Sequence, residues 1–187
     1  MVNVGAWFLE LSARVSLETK SWALNTIQKT YFCTMSNPGV HSIQLAGQKL
    51  QLHPFGGVYW VETQTLLLAD LHLGKAQHFR KAGIAVPLGV SDANLDKFTG
   101  LLLDFRPQRV LFLGDLFHSE YNRQWQNFCE LLQQFPNVSF ELVPGNHDIL
   151  DVSFYQQAGL KLHLEGLEVG PFWLTHHPEE NYGKEEY

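Results

Sequence analysis

The sequence is poor in cysteine, in basic residues and in long apolar runs. Cys33 and Cys129 are its 2 cysteines among 187 residues. So sparse a pair builds no disulfide framework, and two free thiols in a reducing compartment are favoured over a bridge. Lysine and arginine number 13 against 19 aspartates and glutamates, a net charge of −6. A protein that grips duplex nucleic acid along a whole face is usually basic. Extended non-specific binding is therefore disfavoured, which leaves room for a local basic patch; Lys75, Arg80 and Lys81 form the densest one. No run reaches the roughly 18 apolar residues that a membrane span needs. The apolar patches near the start are interrupted by Glu10, Arg14, Glu18 and Lys20, unlike a secretory signal. A cytoplasmic protein with no membrane partner is expected.

What is present is an ordinary globular composition, 45% hydrophobic and 13% aromatic, at a length suited to one domain. Residues 1–34 are helix-compatible but hold no chemical motif. Met35 and the loop-like Ser36-Asn37-Pro38-Gly39 follow. Two readings stand open: residues 1–34 are an upstream extension of a domain spanning 35–187, or they form a helix that packs on that domain.

From His41 onward the pattern is regular. Ile43–Leu45 and Leu50–Leu52 alternate apolar with polar around Ala46-Gly47-Gln48, a hairpin pattern. Val58–Val61 and Thr65–Ala69 read as a second strand pair. Ser91 is placed to cap a helix that carries Leu95, Phe98, Leu102 and Phe105 on one face. Arg109–Leu113 and Val138–Val143 read as buried strands. Arg123–Phe135 reads as a helix with Trp125, Phe128 and Leu132 inward, and Asp151–Ala158 as a short helix ended by Gly159. Leu160–Leu164, Leu167–Val169 and Phe172–Thr175 close the chain as strands. Strands that alternate with helices argue for an α/β layered fold, and the opening hairpins for a mixed sheet.

Four polar clusters each follow a strand-like apolar run. They are Asp70-Leu71-His72, Gly114-Asp115, Gly145-Asn146-His147-Asp148 and His176-His177-Pro178. Ligands of open α/β sheets bind outside the carboxyl ends of strands, so neighbouring strands would bring the clusters to one edge. Each cluster alone has an ordinary reading as a turn or a surface histidine. Their joint occurrence, each after a strand, points to a metal site. Asp70 and Asp115 offer anionic oxygens, His72 and His176 imidazole nitrogens, and Asn146 a carbonyl oxygen. Mixed oxygen and nitrogen donors suit manganese, iron or zinc better than calcium or copper. Asp115 could bridge two ions, and such a pair clamps a phosphoryl group and activates water for in-line attack.

From Leu66 to Pro178 these motifs resemble the calcineurin-like metallophosphoesterases. The resemblance implies a β-sandwich flanked by helices. It implies two divalent ions, one held by Asp70, His72 and Asp115, the other by Asp115, Asn146 and a histidine of the fourth motif. That histidine is His176 by its place two residues before the proline, with His177 the alternative. His147 would be the general acid, a role that suits histidine near neutral pH, and Asp148 would orient it. A narrower resemblance runs through Asp70-Leu71-His72-Leu73-Gly74-Lys75, Phe79-Arg80, Ala82-Gly83-Ile84, Pro87 and Gly114-Asp115-Leu116-Phe117-His118-Ser119. It is to the bacterial PdeM branch, the ligase-associated DNA damage response endonucleases. It implies phosphodiester cleavage in DNA, manganese as the preferred metal, and a DNA ligase or helicase as repair partners. Lys75 and Arg80 are candidate phosphate binders. His118 is either a substrate contact or a packed neighbour of the metal ligands.

The family closes on a Gly-His-x-His motif with one histidine for each metal. None follows Pro178, so a C-terminally truncated domain is expected. A fragment or frameshifted reading of an active enzyme, a shortened protein with a weak site, and a catalytically dead partner protein are the three explanations. The intact motifs, His147 among them, favour the first. A phosphatase or phosphodiesterase for a small nucleotide or phosphoprotein is the rival to a DNA enzyme, and the acidic charge favours it.

Overall fold

The computed structural model describes residues 2–3, 39–74 and 90–177, with side chains for 39–74 and 93–177. Of the segment 1–34, read as helix-compatible, Val2–Asn3 is described and is a strand paired with Phe172–Trp173 rather than part of a helix; the rest lies outside the described residues. Two sheets carry the fold. The larger has the order β2-β3-β4-β5-β6-β7-β8, built from β2 (His41–Leu45), β3 (Gln48–Leu52), β4 (Val58–Trp60), β5 (Thr65–Leu68), β6 (Arg109–Leu113), β7 (Ser139–Val143) and β8 (Lys161–Leu162). Pairing is antiparallel from β2 to β5 and parallel from β5 to β8. This is the mixed sheet that the hairpin and the later strand–helix alternation predict. The smaller sheet has the order β1-β10-β9, from β1 (Val2–Asn3), β9 (Leu167–Val169) and β10 (Phe172–Leu174). Helices α1 (Val90–Phe105), α2 (Arg123–Gln133) and α3 (Val152–Gln157) connect the parallel strands.

Strand alternation divides the core in two. Leu66, Leu68, Val110, Phe112, Phe140 and Leu142 point to the helices, where Phe98, Leu101, Leu102, Trp125, Phe128 and Leu132 meet them. Leu67, Leu111, Leu113 and Val143 point the other way and pack with Leu50, Trp60, Phe172 and Leu174 of the sandwich. Both faces of β5 to β7 are therefore covered, which is why these strands read as continuous apolar runs. Each buried large side chain contributes about 1.5–3 kcal/mol.

Several ends differ from expectation for local reasons. Gln48 begins β3, because Ala46 (φ 49°) and Gly47 (φ 77°) suffice for a two-residue hairpin turn. Ser91 lies inside α1, which already includes Val90. Asn122 caps α2 by accepting from the N–H groups of Gln124 and Trp125, and Asp151 caps α3 through Ser153. His163 is tied through Nε2 to Glu141 at 2.5 Å. Arg109 meets the same carboxylate with two bonds, 2.8 and 2.7 Å. Burial alone would push the Glu141 carboxyl up, but the bonds and charges of Arg109 and His163 outweigh it and hold it below the usual range. His53 has a buried ring held between the Phe55 N–H and Asp104. Among the described residues, no helix is long and apolar enough to cross a membrane.

Candidate metal centre

The parallel strands β5, β6 and β7 end at one edge, and the loops that leave them interlock. Asp70 N–H donates to the Gly114 carbonyl (3.2 Å), His72 N–H to Asp115 (2.9 Å), Leu73 N–H to Leu116 (2.9 Å) and His118 N–H to Leu73 (2.7 Å). The first two loops thus continue the ladder beyond the strands and meet again in a Leu73–Phe117 bridge. Asp70 (φ 53°), His72 (φ 45°) and Asp115 (φ 51°) all adopt left-handed backbone. Such residues cost on the order of 1–3 kcal/mol each and persist only where the surroundings over-determine them.

Asp70, Asp115 and His176 each present a ligand atom, all within 4.8 Å of one another. Asp115 is 5% exposed, and its carboxylate accepts a hydrogen bond from His147 N–H at 3.2 Å. A buried carboxylate needs more than that. His176 Nε2 lies 3.4 Å from Asp115 Oδ1, while its Nδ1 lies 2.9 Å from the Leu113 carbonyl. A carbonyl only accepts, so Nδ1 carries the proton and Nε2 presents a lone pair toward the carboxylate. Two acceptors facing each other, with a second carboxylate alongside, are the arrangement a divalent cation completes. The residues present therefore fit such an ion. His72 lies between both acids, Nε2 at 3.9 Å from Asp70 and Nδ1 at 3.8 Å from Asp115 Oδ2. The two Asp115 oxygens thus face different histidines.

Glycine makes the room. A Cβ on Gly114 (φ 81°) would overlap the His176 ring, and one on Gly145 would overlap the Asp115 carboxylate and sit 2.9 Å from His176 Cδ2. Only backbone without side chains lets the fourth motif close on the second and third. His176 is buried and His177 exposed, so the structure brings the first of the pair into the cluster.

The rings of His147 and His118 stack, centroids 4.1 Å apart and 17° from parallel, with His72 at 6.3 and 5.7 Å. Asn146 is exposed at the tip of its loop, between Gly145 and His147. Asp148 acts on the backbone of both loops. Its carboxylate accepts from Gly145 N–H (2.8 Å) and Phe117 N–H (2.9 Å), so it joins the third loop to the second and fixes the backbone that carries His147. Burial is the largest influence on that carboxyl and raises it; the backbone N–H bonds oppose and the Asp115 charge adds. Lys75, Arg80 and Lys81 lie outside the described residues. Two amides that no motif marks also reach the first loop, Asn94 donating to the Leu71 carbonyl (2.9 Å) and Gln124 accepting from Gly74 N–H (2.8 Å).

No curated protein matches the chain. Among solved structures, the Pseudomonas putida nuclease MPE is similar, with a TM-score of 0.62 and 25% identity over 75% of this chain and 67% of that one. The calcineurin-like phosphoesterase model matches residues 63–184, which takes in β5 to β10 and every ligand described above. The chain belongs to the calcineurin-like phosphoesterase family, whose members are metal-dependent hydrolases of phosphate esters.

Proposed function

We propose that the chain is a phosphodiesterase that cleaves DNA in repair, with manganese preferred over iron or zinc and PdeM as its branch. The convergence of Asp70, Asp115 and His176 beside the His147–His118 stack carries this reading. The likeness to a nuclease supports the substrate class, and the extended motif from Asp70 to Pro87 supports the branch. Lys75 and Arg80, within that motif, are suited to phosphate oxygens.

In this reading Asp70, His72 and Asp115 hold one divalent ion, and Asp115, Asn146 and His176 the other. When bound, such ions polarise the phosphoryl group and activate a water for in-line displacement. The chain's own groups do the rest. His147 gives a proton to the leaving oxygen, His118 stacks on its ring and faces the phosphate, and Asp148 keeps their loops together. Asp115 is suited to serve both ions because its oxygens face separate histidines.

Two substrates offered side by side test the reading. With manganese, the chain is expected to cut a single-stranded oligonucleotide as well as hydrolyse a small aryl phosphodiester. His147→Ala is expected to lower both by about 10²–10⁴-fold. Hydrolysis of the small ester with DNA left intact would favour the nucleotide or phosphoprotein reading, which the net charge of −6 supports. DNA cleavage undiminished in His147→Ala would remove its role as the acid.

A further inference from the structure

We infer that Gln124 and Asn94 are positioning residues that clamp the first metal-binding loop in its left-handed form. The inference rests on the metal-centre reading and deepens it. The loop Ala69–Gly74 carries Asp70 and His72, both with positive φ. Backbone bonds to the second loop hold its inner side. Its outer side is held by two amides, one from the start of each of two helices. Asn94 Nδ2, in the second turn of α1, donates to the Leu71 carbonyl at 2.9 Å. Gln124 Oε1, in the first turn of α2, accepts from Gly74 N–H at 2.8 Å.

The Gln124 contact has a structural history. Asn122 caps α2 by accepting from Gln124 N–H, which fixes where that side chain starts. Gln124 is itself buried at 8% exposure, so its oxygen has little water to turn to. Gly74 is buried as well and has φ 87°; a Cβ there would lie 2.8 Å from Ser119 Cβ and 3.3 Å from the Phe117 ring. Gly74 N–H therefore faces one side-chain acceptor in a space closed on its other side. Between Leu71 and Gly74, the amides grip the loop on either side of His72. Without them the strained residues lose the contacts that these two helices supply. Groups that hold metal ligands through hydrogen bonds typically change metal affinity by 10–100-fold when removed.

The test uses the full chain and reads two quantities, amide hydrogen exchange and manganese binding by calorimetry. Gln124→Leu and Asn94→Leu remove one grip each. Each is expected to raise exchange at residues 70–74 by about tenfold or more, with β6 and β7 as protected as before, and to weaken manganese binding by about 10–100-fold. Gln124→Glu keeps an oxygen acceptor and is expected to restore both. Leu132→Ala, a core change in the same helix, is expected to lower the melting temperature without touching either. The clamp is overturned if exchange at 70–74 rises no more than in the central strands, or if Leu132→Ala reproduces the effect. Native manganese binding that survives both leucine variants also overturns it. A native chain that binds no manganese overturns the metal-centre reading instead, and the exchange arm then decides the clamp by itself.

Discussion

Gly114 and Gly145 bear no functional group, yet they decide whether His176 can reach Asp115. Each lies where a methyl group would enter the ring or the carboxylate. Gly114→Ala adds a left-handed alanine, at roughly 1–2 kcal/mol, to the displacement of His176. The variant is expected to melt lower and to lose most of its manganese affinity, read by calorimetry on both counts. Unchanged affinity would remove His176 from the ligand set. At this scale the motifs were legible in the sequence, since Asp70, His72, Asp115, His147 and His176 all stand directly after strands. The choice between His176 and His177 was open in the residues themselves. A backbone carbonyl, that of Leu113, holds the first, and no side-chain pattern encodes a carbonyl's direction. Gln124 and Asn94 were invisible for a like reason: a helix amide that reaches across 50 residues, as Gln124 does to Gly74, leaves no local signature.

Strands β6 and β7 carry a polar group where their pattern calls for an apolar one. Glu141 shares its sheet face with Val143 and Leu111, and Arg109 and His163 satisfy it. Arg109→Met removes two charge-assisted bonds and leaves His163 on the carboxylate, so the urea midpoint is expected to fall at neutral pH by the equivalent of about 1.5–3 kcal/mol. The sign of the acid response follows from Glu141. Its folded carboxyl titrates below the unfolded value, so its contribution is present above an unfolded pKa of about 4.3 and is lost as pH falls through the folded one. Native protein should therefore lose more stability on acidification than Glu141→Gln, and the two curves should converge at low pH. Parallel curves would show that the carboxylate is not stabilising. From His41 onward element type was readable from period and length, because both faces of the central strands are apolar and the helices keep one apolar side; the strand Val2–Asn3 was not, since two residues carry no period. The ends were less so. The start of α1 does not sit after Ser91, and β8 is shorter than the run Leu160–Leu164 suggests, pairing through Lys161 and Leu162 alone.

The whole molecule places three carboxylates, Asp70, Asp115 and Asp148, at one edge of a chain whose net charge is already −6. A cation that binds only the folded state adds stability by mass action. Manganese at a hundred times its dissociation constant would add about 2.7 kcal/mol, or roughly 5–10 °C in melting temperature for a chain of this size. Asp115→Asn should abolish that rise. A rise equal in native and variant protein would place the ion elsewhere. The family fold was legible from the order of four motifs, and the layered sandwich matches it. The clamp, the glycine contacts and the ladder between loops became visible only when strands distant in sequence lay side by side.

The most direct test of the central claim is hydrolysis of bis(p-nitrophenyl) phosphate as manganese is titrated into the native chain and into Asp115→Asn. Turnover is expected to rise with manganese in the native chain and to vanish in the variant. Turnover that persists in Asp115→Asn, or that ignores manganese, would contradict a metal centre built on Asp70, Asp115 and His176.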